Sequence, residues 1–466
     1  MSSVTKMRWF GFASVAFGTF MATLDSSAVI VALPIIGRDF NVAVTTVEWV
    51  LVAYTLTIGT LLLPFGKCGD HWGKHRIFKI GFVLFLLSSF FCGFSSTIEH
   101  LILFRIFQGI GGAIYISVGP AILVDSFPVQ ERGKAIGFMG TIVSLGLMLG
   151  ASVGGLLTHY LSWRSIFFIN IPLGIIGLIW SSIYLPKDLP RNHSFQFDYR
   201  GALLIMLTSG SLLLILTRIS IWGVGSPYIV GLLLLFVISG FLFVMVEKKN
   251  PYGVFDFSLF KNKFFVFSNI SLLLYFISIH MTYFLIPFYL TEVLHYTQNK
   301  VGFAMMAVPT TFAILNPISG SVSDKIGARV LAPLGLFVSS IAYIAVAHLS
   351  MKSTLMVIMG CLSLIGMTGG LFQSPNSSAI MGSVSQARLG MASAMIATMR
   401  NFGSVMGVAF ATLLFSIRIR AYDGIGAEFS MHTLPPDLFL KAFHDTLWAA
   451  AVIVCIAGFF SLQRGR

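Results

Sequence analysis

Asp25 is the one acidic side chain set well inside the apolar stretch Phe10 to Pro34. Its charged form costs about 3 kcal/mol or more at that depth, and such groups persist along ion and proton pathways. Arg105 occupies a comparable place in a second apolar stretch, with Gln108 one helical turn further on. Arg400 sits near the middle of another, and His280 lies about as deep in the run Tyr275 to Phe284. These residue types suit proton exchange and charge recognition rather than bond making. No His/Asp cluster converges, and no hydrophilic stretch is long enough to fold as a catalytic domain, so an enzyme is not expected. His71 and His75 have the spacing of a metal pair, but Gly73 breaks the helix between them, and no metal site is expected. Cys68, Cys92, Cys361 and Cys455 form neither a CxxC site nor a disulfide framework.

The elements that must position these groups are membrane helices. Hydrophobic residues make up 56% of the chain and charged ones only 10%, with a mean hydropathy of +0.89, which excludes one soluble core. Apolar runs of spanning length recur fourteen times, centred near residues 21, 56, 85, 110, 145, 175, 208, 237, 277, 308, 339, 365, 402 and 452. The expected class is therefore an all-α integral membrane protein, its first span uncleaved and both termini on one side. The net charge of +13 could suggest nucleic acid. Lys and Arg instead concentrate in alternate loops, such as Lys67 to Lys79, Arg132 and Lys134, and Lys248 to Lys263. By the positive-inside rule that face, with both termini, is expected to be cytoplasmic. Nucleic acid is not an expected partner.

Internal repetition supplies the organisation. Gly66-Lys67-Cys68-Gly69-Asp70-His71-Trp72-Gly73-Lys74 follows the second span, and Gly320-Ser321-Val322-Ser323-Asp324-Lys325-Ile326-Gly327-Ala328-Arg329 follows the tenth. Both read G-x-x-x-D-x-x-G before a basic residue, a pattern for two helices meeting in a tight turn. Aligning the copies leaves two extra helices between six-helix halves, Tyr199 to Arg218 and Pro227 to Val246. The domains expected are an N-terminal bundle over 1–190, an inserted pair in 191–250 and a C-terminal bundle over 251–466. Gly66, Asp70, Gly73, Lys74 and Arg76 are assigned to a conformational latch, with Asp324 and Arg329 as its weaker counterpart. Simple retention of charge on the inner face is the alternative.

With those residues on the page, the whole chain resembles the major facilitator superfamily, and within it the fourteen-helix drug/proton antiporter branch. Leu24-Asp25-Ser26-Ser27-Ala28-Val29-Ile30-Val31-Ala32-Leu33-Pro34 is similar to that branch's first-helix signature, and Trp49-Val50 with Tyr54 to its second helix. Arg105-Ile106-Phe107-Gln108-Gly109-Ile110-Gly111-Gly112 resembles the fourth-helix motif, and Trp163 to Pro172 the segment entering the sixth. The fifth helix departs from the pattern: Ala151 stands where the branch has proline. Gly146, Gly150, Gly154 and Gly155 still permit close helix packing.

The resemblance implies a proton-coupled efflux transporter working by alternating access. It also implies that the first and fourth helices both line a central cavity. Asp25 lies roughly 13 Å below the outer end of its helix and Arg105 roughly 10 Å below the same surface, at 1.5 Å per residue. Low dielectric disfavours a carboxylate and a neighbouring guanidinium favours it, so Asp25 is expected to carry the coupling proton while Arg105 tunes it. A static buried pair fixing helix register is the alternative. One proton crossing about 100 mV with one pH unit yields about 3.7 kcal/mol, enough for a gradient of a few hundredfold.

The substrate pocket is expected to draw on Trp49, Tyr54, Gln108, His280, Tyr283, Phe284, Met305, Asn316 and Arg400, with Arg400 meeting substrate oxygens or pairing with Asp445. For His280 a hydrogen bond across helices is the favoured role, and for Asn316 a kink with a satisfied amide. The substrate would be a hydrophobic, cationic drug-like compound. Alternatives are one metabolite, such as a siderophore, amino acid or peptide-like product, or a sensor that moves nothing. Expected besides are a monomer in the lipid bilayer of the inner membrane, protons as the coupling ion and no other cofactor.

Overall fold

The computed structural model describes residues 3–127, 129–185, 198–223, 225–249, 257–385, 388–423 and 431–464. Among them all regular structure is helical, as apolar runs in hydrocarbon require, since each backbone amide must find its partner within the same segment. Fourteen helical spans are long and apolar enough to cross a membrane, and each contains one of the centres read from the sequence. The first six are Arg8–Asp39, Val44–Leu62, Lys74–Gly93, Ile98–Gly119, Phe138–Tyr160 and Ser165–Tyr184. Tyr199–Ile219 and Pro227–Lys248 follow. The last six are Lys263–Val293, Gln298–Ser323, Ala328–Ala347, Leu355–Gly382, Met395–Tyr422 and Pro436–Leu462.

The same packing pattern occurs twice. The first span packs on the fifth and sixth, the fourth on the second and third, and the third on the sixth. The ninth likewise packs on the thirteenth and fourteenth, the twelfth on the tenth and eleventh, and the eleventh on the fourteenth. The seventh and eighth spans pack on each other, and the seventh also touches the second and thirteenth, one from each set. The eighth leaves Leu233, Leu234, Val237, Ile238 and Phe241 exposed, a lipid-facing surface.

Glycines set the closest approaches. Gly146, Gly150 and Gly154 lie on the first span: a Cβ on Gly150 would stand 2.4 Å from the Leu24 carbonyl oxygen, and one on Gly154 2.6 Å from Ala28 Cα. Gly155 instead faces the tenth span, where its Cβ would meet the Gln298 carbonyl oxygen at 2.5 Å and Gly302 Cα at 3.0 Å. With alanine at 151, the helix Val129–Tyr160 runs through this contact unbroken. This crossing lies on the face opposite the termini, called the far face below. There Arg38 also reaches from the end of the first span to Glu292, in the π-helical turn Tyr289–Val293 of the ninth, at 2.5 Å.

The two repeated turns close on glycine. Gly73 has φ 97° and ψ 125°, and Gly327 φ 87° and ψ 141°, a region L-residues avoid. Arg329, just beyond the second turn, is exposed and sits 5.8 Å from the Phe264 ring. Lys74 is partly buried and Arg76 exposed. The backbones of Gly66, Asp70 and Asp324 are helical, but the Asp70 and Asp324 side chains lie outside the described ones, so the carboxylates of the latch are not placed. Because no atom lies within 4 Å of a Cβ at Gly327, Gly327→Ala isolates backbone strain. It is expected to destabilise the protein by about 1–3 kcal/mol, read as a lower melting temperature of the purified protein in detergent.

Candidate functional site

Asp25 is fully buried, and the first span is held there by the glycine face of the fifth and by Ser27, whose hydroxyl donates to the Leu147 carbonyl at 2.7 Å. Its carboxylate collects three donors from two other helices. Arg105 Nη1 reaches Oδ2 at 2.5 Å, while Gln108 Nε2 and Asn170 Nδ2 reach Oδ1 at 3.1 and 2.7 Å. Arg105 is itself fully buried: Nε donates to the Val50 carbonyl at 2.9 Å and Nη1 to Gln108 Oε1 at 2.6 Å. Its guanidinium lies 4.2 Å from the Tyr54 ring centroid and 5.8 Å from that of Phe167. Ser89 completes the cage, accepting from Gln108 at 2.7 Å and standing 3.4 Å from Asn170 Nδ2.

The pair is neutral in sum and nearly saturated, with Arg105 Nη2 and Asn170 Oδ1 left without partners. Protonating Asp25 would remove the only counter-charge Arg105 has here and leave a buried cation unpaired, a state destabilised by several kcal/mol. The carboxylate therefore ties the first, fourth and sixth spans into one contact. Asn170 and Ser89 were not singled out as site residues in the sequence; Asn170's signal is an amide between Phe168-Ile169 and Ile171-Pro172, at the start of an apolar run. Replacing Asn170 with Ala removes one donor from a buried charge, worth about 1.5–3 kcal/mol. Transport is expected to fall about tenfold or more, with its pH profile displaced, as measured in vesicles at a series of pH values.

The remaining pocket candidates fall into separate places. Tyr54 and Gln108 belong to the Asp25 cage. Tyr283 and Met305 line an apolar cavity among the ninth, tenth and twelfth spans, together with Ile279, Thr282, Ile286, Val308, Leu362 and Ile365. His280 and Arg400 adjoin it through Phe276. Phe284 is not there: adjacent helical positions point about 100° apart, and it packs fully buried against Phe288. Trp49 lies outside it too, beneath Arg218 of the seventh span at 4.5 Å.

Three finer expectations are corrected. Asp445 pairs with Arg418 at 3.2 Å and accepts from Tyr422 at 2.6 Å, not from Arg400, which stands eighteen residues, about 27 Å of helix, before Arg418. His280 Nδ1 donates to its own helix at the Phe276 carbonyl, 2.9 Å away, rather than across helices. Asn316 Oδ1 has no partner, so the amide beside Pro317 is not satisfied.

Two like-packed sets of membrane helices that meet at the far face, the first enclosing a fully buried ion pair, have the architecture of a membrane transport protein. The chain belongs to the Major Facilitator Superfamily, whose profile matches residues 15–408. It is 33% identical to the riboflavin transporter RibZ of Clostridioides difficile (strain 630) over 97% of this chain and 96% of that protein. It is 29% identical to the multidrug resistance protein Stp of Mycobacterium tuberculosis (strain CDC 1551 / Oshkosh) over 85% of this chain and 74% of that one. Among solved structures, an inward-facing, unoccupied bacterial homologue of the human lysosomal transporter Spinster shares the fold. That match has a TM-score of 0.71 at 15% identity and covers 100% of this chain and 98% of the other.

Proposed function

We propose that this transporter exports a small organic molecule in exchange for protons, with Asp25 as the proton carrier. The observation that carries the reading is a fully buried carboxylate whose ion-pair partner, Arg105, is buried with it. In the far-face-closed arrangement Asp25 is ionised and shut off from water. Rocking the two sets apart at the Arg38–Glu292 and Gly155–Gly302 contacts admits the external solution, and a proton then enters. Neutral Asp25 releases Arg105, substrate leaves, and return of the protein to its first state discharges the proton into the cytoplasm. The protein works as a monomer in the cell membrane, both termini on the cytoplasmic side, and needs no cofactor besides the proton.

Two substrate readings differ in what supports them. Hydrophobic, drug-like compounds are suggested by the likeness to multidrug proteins such as Stp and by the apolar cavity beside Tyr283 and Met305. A single metabolite is suggested by the likeness to RibZ, which extends over nearly the full length of both chains. Proteoliposomes with an imposed pH gradient test the common core. Gradient-driven movement of any member of a panel of fluorescent dyes and riboflavin, together with proton efflux in the opposite sense, supports it. Equal movement with and without the gradient would overturn it.

A further inference from the structure

The interior of the last six spans carries a cation and no acid to match it. Arg400 lies in the inner third of the thirteenth span, five residues from its Met395 end, its Nε without a hydrogen-bond partner, and no ion pair forms at it among the described residues. The innermost acid of those spans, Asp445, is taken by Arg418 and Tyr422. Of the buried acids in the first six spans, Asp25 is already neutralised by Arg105 at 2.5 Å, and Glu48, at the far-face end of the second span, lies against Arg218 and Thr412, the latter twelve residues, about 18 Å of helix, from Arg400. Among the described side chains near Arg400, the charge left unmatched is positive.

Buried hydroxyls without partners lie beside Arg400 and beside the rings that follow it. The Tyr275 and Tyr343 hydroxyls are both buried and unpartnered. Aromatic rings then lead away from the cation. The guanidinium lies 5.5 Å from the Phe276 ring, Phe276 stacks on His280 at 5.9 Å and 26°, and His280 faces Tyr283 at 6.3 Å and 34°. Tyr283 is the wall of the apolar cavity between the ninth, tenth and twelfth spans. A polar head site on the thirteenth span, a ladder of flat faces along the ninth and an apolar pocket thus follow one another.

We infer that this is the substrate site and that it takes a planar aromatic solute whose edge presents anionic or carbonyl oxygens, seated on Arg400 with its ring along Phe276, His280 and Tyr283. The inference rests on the transport reading above and narrows it. A guanidinium binds oxygen acceptors through directed, charge-assisted hydrogen bonds, and flat rings stack on aromatic faces. An organic cation finds no counter-charge here and is repelled by Arg400, so the cationic dyes that a general drug exporter carries are poor ligands.

The test is equilibrium binding to the purified full-length protein by fluorescence anisotropy, with carboxyfluorescein and riboflavin as acceptor-edged planar probes and ethidium as the planar cation. At least one acceptor-edged probe is expected to bind about tenfold or more tighter than ethidium. Arg400→Gln is expected to weaken it about tenfold or more while ethidium is unchanged or tighter, with Arg400→Lys recovering part of the loss. Phe276→Leu, which keeps the charge and removes the first ring, is expected to weaken the same probe severalfold. Ethidium binding as tight as both other probes, or indifference of the preferred probe to Arg400→Gln, would overturn the assignment. Gradient-driven movement by the unaltered protein, measured beside binding, separates the two readings. Anion binding that survives without gradient-driven movement in the unaltered protein would leave the site standing and sink proton coupling, whereas gradient-driven ethidium movement would do the reverse.

Discussion

Asp25→Asn is expected to abolish gradient-driven transport, by about a hundredfold or more, while exchange of substrate down its own gradient continues. The asparagine fills the same volume and keeps one oxygen to accept from Gln108 and Asn170, which now donate at 3.1 and 2.7 Å. It cannot carry a proton, so the stoichiometric link to the pH gradient is lost rather than weakened. A second consequence is structural. Arg105 Nη1 loses the carboxylate it holds at 2.5 Å, and an unpaired buried cation costs about 3–5 kcal/mol. The variant should therefore be less stable in the far-face-closed state and shift toward whichever state lets Arg105 reach water. Asp25→Glu keeps the titratable group and should recover part of the coupling. Gradient-driven transport by Asp25→Asn at the unaltered rate would show that the pair only fixes helix register.

The depth of Asp25 and Arg105 was legible because it needs nothing but helical rise: counts from the span ends put both near the same level. What counting cannot provide is rotation about the helix axis. Tyr283 and Phe284 are chemically alike and adjacent, yet one faces the cavity and the other the core. The sequence also suggested a carboxyl open to a central cavity, whereas the structure encloses it, because Asn170 and Gln108 close on Oδ1 from the sixth and fourth spans. Asn170 was hidden because an amide in an apolar run is common wherever a helix end needs a partner. Its role depends on where the sixth span crosses the first. The pairing of Arg400 with Asp445 failed on depth alone: Arg418, near the far end of the thirteenth span, is in reach and Arg400 is not. The repeated glycine turns were legible because Gly73 and Gly327 adopt backbone angles that their sequence context anticipates.

The seam between the fifth and tenth spans makes the second large effect predictable from geometry alone. Gly155 and Gly302 face each other so closely that a Cβ on Gly302 would stand 2.4 Å from the Ala151 carbonyl oxygen and one on Gly155 2.5 Å from that of Gln298. Both obstructing atoms are backbone, so neither can rotate away, and closing the far face over a valine at 155 requires the helices to separate. Overpacking of this kind costs about 1–3 kcal/mol, and the penalty applies only while the far face is closed. An equilibrium between far-face-closed and far-face-open states would then move about 5- to 150-fold toward the open one. Gly155→Val is expected to retain folding and substrate binding but to lose most turnover, since a transporter that cannot close one gate cannot complete its cycle. Spin labels at Leu161, beyond the crossing on the fifth span, and at Lys300, on the exposed face of the tenth span beside it, should report a longer mean distance in the variant. Gly210→Ala, on the seventh span with no atom within 4 Å of its Cβ, is the control and should change neither distance nor rate. Normal turnover with an unchanged distance in Gly155→Val would mean that this contact stays closed throughout transport, and the moving seam would have to be sought between the second and thirteenth spans instead.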